Sequence, residues 1–159
     1  MSEKNGVEGE CEDGELRKEA EGAVGAIELP DIGSATNEEL EELVTKVLRC
    51  VASLKSVKID RAHFLRSELN RRCPEINAEL AIEKTPIEAG ISPQELDRIA
   101  AEVIDFETKK CSALSFLAGL PGGVAIAGSI TADAAQYFAH VMRIEQKLAY
   151  LYGWQSFLD

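Results

Sequence analysis

The chain has 159 residues, 45% of them hydrophobic and 28% charged, which is the size and composition of one globular domain able to bury a core in water. Collagen-like, mucin-like and wholly disordered readings are excluded. A formal net charge of −11 makes the molecule as a whole repel phosphate backbones, so nucleic acid is not the expected partner.

Residues 1–33 carry ten acids (Glu3, Glu8, Glu10, Glu12, Asp13, Glu15, Glu19, Glu21, Glu28, Asp31) against three bases (Lys4, Arg17, Lys18), with many glycines and few large apolar residues. Such a segment buries too little surface to offset its ordering entropy and reads as a disordered acidic tail. The remaining 34–159 carries only −4 and reads as the helical domain. Residues 1–20 contain no apolar core, so no secretory signal is read there. From Thr36 the pattern becomes helical: Thr36-x-x-Glu39 is a capping box, and Leu40, Leu43, Val44, Val47, Leu48 and Val51 recur at three- and four-residue steps. A second helix is expected from Asp60 as N-cap, with Ile59 and Phe64 as a hydrophobic staple, Leu65 and Leu69 inward, and an end by Pro74. Pro74 and Pro86 suit first helical positions, which predicts short pieces at 74–83 and 86–89, the latter opened by Thr85-x-x-Glu88 and closed by Gly90. Ser92-Pro93-Gln94-Glu95 launches a helix to about Lys109 with Leu96, Ile99, Ala100, Val103 and Ile104 inward. No stretch sustains strand alternation, so the fold class is all-α, a multi-helix bundle.

Between Lys110 and Asp133 lie 22 consecutive uncharged residues, enough by count for a membrane span. Leu120-Pro121-Gly122-Gly123 breaks that run into arms 111–120 and 124–132, too short to cross singly. The expectation is an apolar hairpin turning at Gly119, Pro121, Gly122 and Gly123, either buried as core or dipping into one leaflet. Gly123-x-x-x-x-Gly128 is not a phosphate loop, because Ser129 and Ile130 stand where Lys and Ser/Thr are needed. Thr131 is the expected cap of a helix from about Ala132 to Tyr152, stopped by Gly153. Its apolar stripe is Ala134, Tyr137, Phe138, Val141, Ile144, Leu148 and Leu151. Asp133, Gln136, His140, Arg143 and Lys147 form a polar line on another side. Such a line ordinarily faces water; the alternative is a polar anchor starting at Asp133 in the first helical turn.

The four cysteines at 11, 50, 73 and 111 form no C-x-x-C and lie far in sequence from His63 and His140, so no zinc spacing is present and neither a metal nor another cofactor is expected. Lys55, Lys58, Arg61, Arg66, Arg71 and Arg72 stand against only Asp60 and Glu68, a local net of +4 suited to anionic headgroups. An enzyme using Asp133, His140 or Cys111 is an alternative, although no G-x-S-x-G, H-E-x-x-H or Cys/His signature supports it. Binding of DNA through residues 55–73 is another, opposed by the overall charge.

The run Gly119-Leu120-Pro121-Gly122-Gly123, then Ile130-Thr131-Ala132-Asp133, Gln136-Tyr137, Arg143 and Gln146 through Gly153, resembles the hallmark region of the EcsC family of bacterial proteins. The similarity is strong over 115–153 and loose over 36–110. Thr131 stands where the family has a proline, and the chain resembles an N-terminal portion of longer members. The resemblance implies a non-enzymatic, membrane-associated accessory protein linked to ABC-transporter operons. It places the protein in the cytoplasm, peripheral to or dipping into the inner face of the plasma membrane, with a membrane surface or membrane protein as partner. It supplies no catalytic residues.

Overall fold

The computed structural model describes residues 4–28, 34–119 and 126–158, with side-chain surroundings for 14–28, 34–112 and 133–158. Six α-helices and no strand occur among the described residues: α1 (Lys4–Val24), α2 (Asn37–Ser53), α3 (Arg61–Arg72), α4 (Ala78–Glu83), α5 (Pro93–Gly119) and α6 (Ile126–Leu151), with a 3-10 turn at Lys55–Val57. The fold is an all-α helical bundle. It divides into two compact units, Met1–Val57 with Lys110–His140 and Lys58–Lys109 with Val141–Asp159, so the boundary expected after residue 33 is not where the units part.

In the first unit, α1 packs against α2 and against the 3-10 turn. The expectation of a disordered tail is corrected over residues 4–24, which form helix α1. Leu16, Ala20 and Val24 recur every fourth residue and are buried, a sparse apolar row that becomes effective only when α2 and the turn lie beside it. At the start of α2 the capping box forms as the sequence predicts: Glu39 N–H donates to Thr36 Oγ1 at 3.3 Å and Thr36 N–H to Glu39 Oε2 at 2.8 Å. Val47 and Val51 are buried, while Val44, expected inward, is 44% exposed.

The second unit holds a core of Phe64, Leu65, Leu69, Cys73, Ala78, Ala81, Ile91, Leu96, Ile99, Ala100, Val103, Tyr150 and Leu151, with Ile59 packed against it. Asp60 caps α3, accepting from His63 N–H at 2.6 Å. The piece expected over 74–83 begins only at Ala78, because Asn77 Oδ1 takes the N–H groups of Glu79 and Leu80 and makes the cap three residues after Pro74. Residues 86–89 are a turn rather than a helix; the Thr85–Glu88 contacts form and Gly90 closes it at φ +102°. Ser92 Oγ accepts from Glu95 N–H at the head of α5.

Two helix boundaries differ from expectation for one reason. Helix α5 runs past Lys109 to Gly119, and α6 starts at Ile126, so both expected hairpin arms join the flanking helices. Neither Lys109–Cys111 nor Ile130–Ala132 contains a breaker, and helix propagation is favourable once a nucleus exists. Thr131 therefore lies inside α6 rather than capping it, and Asp133 is two turns in, beyond the unpaired first N–H groups. Gly119 ends α5, while Pro121, Gly122 and Gly123 lie outside the described residues. At the other end Gly153 adopts φ +97°, and a Schellman pair forms from Trp154 N–H to Ala149 O at 2.9 Å and Gly153 N–H to Tyr150 O at 3.2 Å.

Candidate functional site

The polar line of α6 does not form a water-facing stripe. Gln136, His140 and Arg143 are buried and Lys147 is mostly so, while Asp133 is exposed and Tyr137, from the apolar stripe, is 57% exposed. The expectation of a solvated face is corrected for these four residues. The enclosed positions of α6 are 135, 136, 139, 140, 143, 146, 150 and 151, a regular three–four row that mixes alanine, amide, imidazole and guanidinium. Among the described residues, Gln136 Nε2 makes no hydrogen bond.

In the second unit the buried row meets a carboxylate that the sequence reading passed over. Glu107 is fully buried on α5; Lys147 Nζ lies 2.5 Å from its Oε1 and Arg143 Nε 3.9 Å away. Glu107 continues the register of Leu96, Ala100 and Val103 by one more turn, so an acid in a core register was the signal available. Lys147 Nζ also stands 5.8 Å from the Phe64 ring centroid, a cation–π arrangement that ties α3 to the pair. One residue earlier, Gln146 Oε1 accepts from Ile59 N–H at 3.1 Å and its Nε2 donates to Met142 O at 3.1 Å. A buried carboxylate with two adjacent cations is an internal lock: breaking it strands charge in a low dielectric.

The six cations assigned to an anionic surface divide into two kinds. Arg61 reaches inward, donating to Ile82 O at 2.7 Å, Ala81 O at 3.4 Å, Lys84 O at 3.3 Å and Trp154 O at 3.0 Å, and so satisfies the open carbonyls at the end of α4. Arg66 forms a two-pronged pair with Glu79 at 2.6 and 3.0 Å. Arg71 and Arg72 both bind Glu68, and Arg72 also reaches Glu102. Burial alone would push the Glu68 carboxyl up, but hydrogen bonds from Arg72 and Arg71 outweigh it and hold the group low. The four arginines are engaged by the protein itself. Lys55 and Lys58 are exposed.

Compared with models of protein families, with curated proteins and with solved structures, the chain matches none.

One surface of the second unit stands out. Arg61 bonds both Lys84 O and Trp154 O, Gln155 Nε2 donates to Lys84 O at 2.9 Å, and a Cβ on Gly153 would lie 2.9 Å from Thr85 Cγ2. The 84–87 turn and the 152–157 segment are thus neighbours. They carry Ile87, Tyr152, Trp154 and Phe157 exposed, with the Trp154 and Phe157 rings 6.4 Å apart and Trp154 62% exposed. Tyr152 donates its hydroxyl to Asp97 at 2.6 Å, which raises the phenol above its ordinary value. Lys84 is exposed at the same edge.

The groups considered for catalysis, Asp133, His140 and Cys111, differ in burial. Asp133 is exposed where His140 is buried, and Cys111 stands half-buried on α5. Cys73 is buried; burial first, then donation to Glu95 at 3.6 Å, pushes its thiol up and away from the reactive thiolate. No group of three or more His, Cys, Asp or Glu poised for a metal occurs among the described residues. No described helix is long and apolar enough to cross a membrane.

Proposed function

We propose that the protein is a non-enzymatic accessory that binds at the interfacial region of a membrane, in the manner the EcsC resemblance implies, with an ABC transporter as the associated system. The observation that carries this reading is the exposed aromatic edge of Tyr152, Trp154, Phe157 and Ile87 beside Lys84. Tryptophan and tyrosine favour the headgroup level because their rings are apolar with one polar tip, and lysine adds attraction to anionic lipid. Contact through this edge adds to the cations of residues 55–72, of which Arg66, Arg71 and Arg72 are paired with carboxylates of the protein itself. The net charge of −11 opposes binding at long range, so the aromatic contribution has to supply the affinity.

Trp154 is the single tryptophan, so its fluorescence reports the edge directly. Phosphatidylserine-containing vesicles should shift its emission to the blue, and Trp154→Ser with Phe157→Ser should abolish co-flotation while helical content is kept. An unchanged spectrum together with equal flotation of wild type and variant would refute membrane contact through this edge.

A further inference from the structure

Helix α1 is poorly equipped to be a helix. Gly6, Gly9, Gly14 and Gly22 lie in its interior, and neither an acid in its first turn nor a base in its last supports it. Among the described residues, 14–24 meet their surroundings through an apolar row, Leu16, Ala20 and Val24, and a polar tie to Ser56. Glu19 Oε2 accepts from Ser56 N–H at 3.1 Å and from Ser56 Oγ–H at 2.8 Å, with Lys55 adding attraction. The Arg17–Glu21 pair at 2.8 Å stays within the helix and adds nothing to docking. On the receiving side, Val47 and Val51 of α2, with Leu54 and Val57 around the 3-10 turn, are buried, and the Ser56 donors and exposed Lys55 sit at the same turn.

We infer that α1 is a releasable strap, and that the face of α2 and the 3-10 turn beneath it is a docking surface for an acidic amphipathic helix supplied in trans. The partner has defined chemistry: apolar residues at positions i, i+4 and i+8, and a carboxylate at i+3 to meet the Ser56 donors and Lys55. Leu16, Glu19, Ala20 and Val24 are the intramolecular version of that pattern. Because the strap's helix exists only through docking, a competitor displaces it without disturbing the rest of α2. While it is docked, the affinity for a competitor is reduced by the fraction of time the face is open.

The test uses the full chain carrying Leu16→Asp and Val24→Asp, which releases the strap, and a fluorescent peptide of the native sequence 14–27. The released chain should bind the peptide about tenfold or more tighter than wild type does. A Glu19→Gln peptide should bind several-fold more weakly, and amide exchange over 37–53 should remain slow in the variant chain. Equal peptide binding by both chains, or none by the variant, would overturn the inference. So would loss of α2 protection in the variant, since α1 would then be an integral part of the core.

Discussion

Lys147 Nζ stands 2.5 Å from Glu107 Oε1, joining α6 to α5 inside the second unit where the carboxylate has no exposure to water. Glu107→Ala would leave the Lys147 and Arg143 charges without that partner and should cost about 3–5 kcal/mol by chemical denaturation. Glu107→Leu with Arg143→Met and Lys147→Met removes all three charges and should recover most of the loss, because apolar replacements of a buried ion pair are often neutral. A triple variant as unstable as Glu107→Ala would show that shape rather than charge matters there.

Asp133 and Arg143 began on one predicted line and now have opposite expected outcomes. Asp133 is exposed and two turns inside α6, so Asp133→Asn should change stability by no more than about 0.5 kcal/mol. Arg143→Gln weakens the pairing with buried Glu107 and should cost about 1–3 kcal/mol. Parallel urea melts of the two variants check both.

Gly153 holds φ +97° and backs directly onto Thr85. Gly153→Ala should destabilise by about 1–3 kcal/mol through the left-handed backbone and the 2.9 Å approach to Thr85 Cγ2. Pairing it with Thr85→Ser, which removes that methyl, should recover the steric part only. A shift in the thermal midpoint measures each.

Arg61→Met keeps a long apolar stem but deletes the donors to Ala81, Ile82, Lys84 and Trp154 carbonyls. The expected loss is about 2–3 kcal/mol, with faster proteolysis near Gln155 as the C-terminal segment loosens. Unaltered cleavage would mean that Gln155 and the Schellman bonds suffice.

Docking of α1 should depend on pH. Hydrogen bonds from the Ser56 side chain and then its backbone hold the Glu19 carboxyl below its ordinary value. A carboxylate depressed in the folded state contributes stability above its unfolded value, and that contribution disappears as pH falls through the folded one. Amide exchange over residues 14–24 should therefore be slower in wild type than in Glu19→Gln at neutral pH. The difference between them should vanish in acid.

The sequence by itself determined the features that are settled within a few residues of one another. Thr36, Asp60 and Ser92 cap the helices they were expected to cap, Leu65, Leu69, Leu96, Ile99 and Val103 are core, and Gly153 stops α6, because a cap or a helical row needs only its own neighbours along the chain. Tertiary structure decided which face of a helix is buried and which charges are spent. Ile104 reads as core by period yet is 42% exposed, and Arg143 and Lys147 read as solvated yet are enclosed, because Glu107 on another helix offers an opposite charge. The α1 row of Leu16, Ala20 and Val24 is likewise too sparse to hold a helix alone. Its burial is decided by α2 and the 3-10 turn, whose apolar side chains and Ser56 donors come from residues 47–57, thirty positions along the chain.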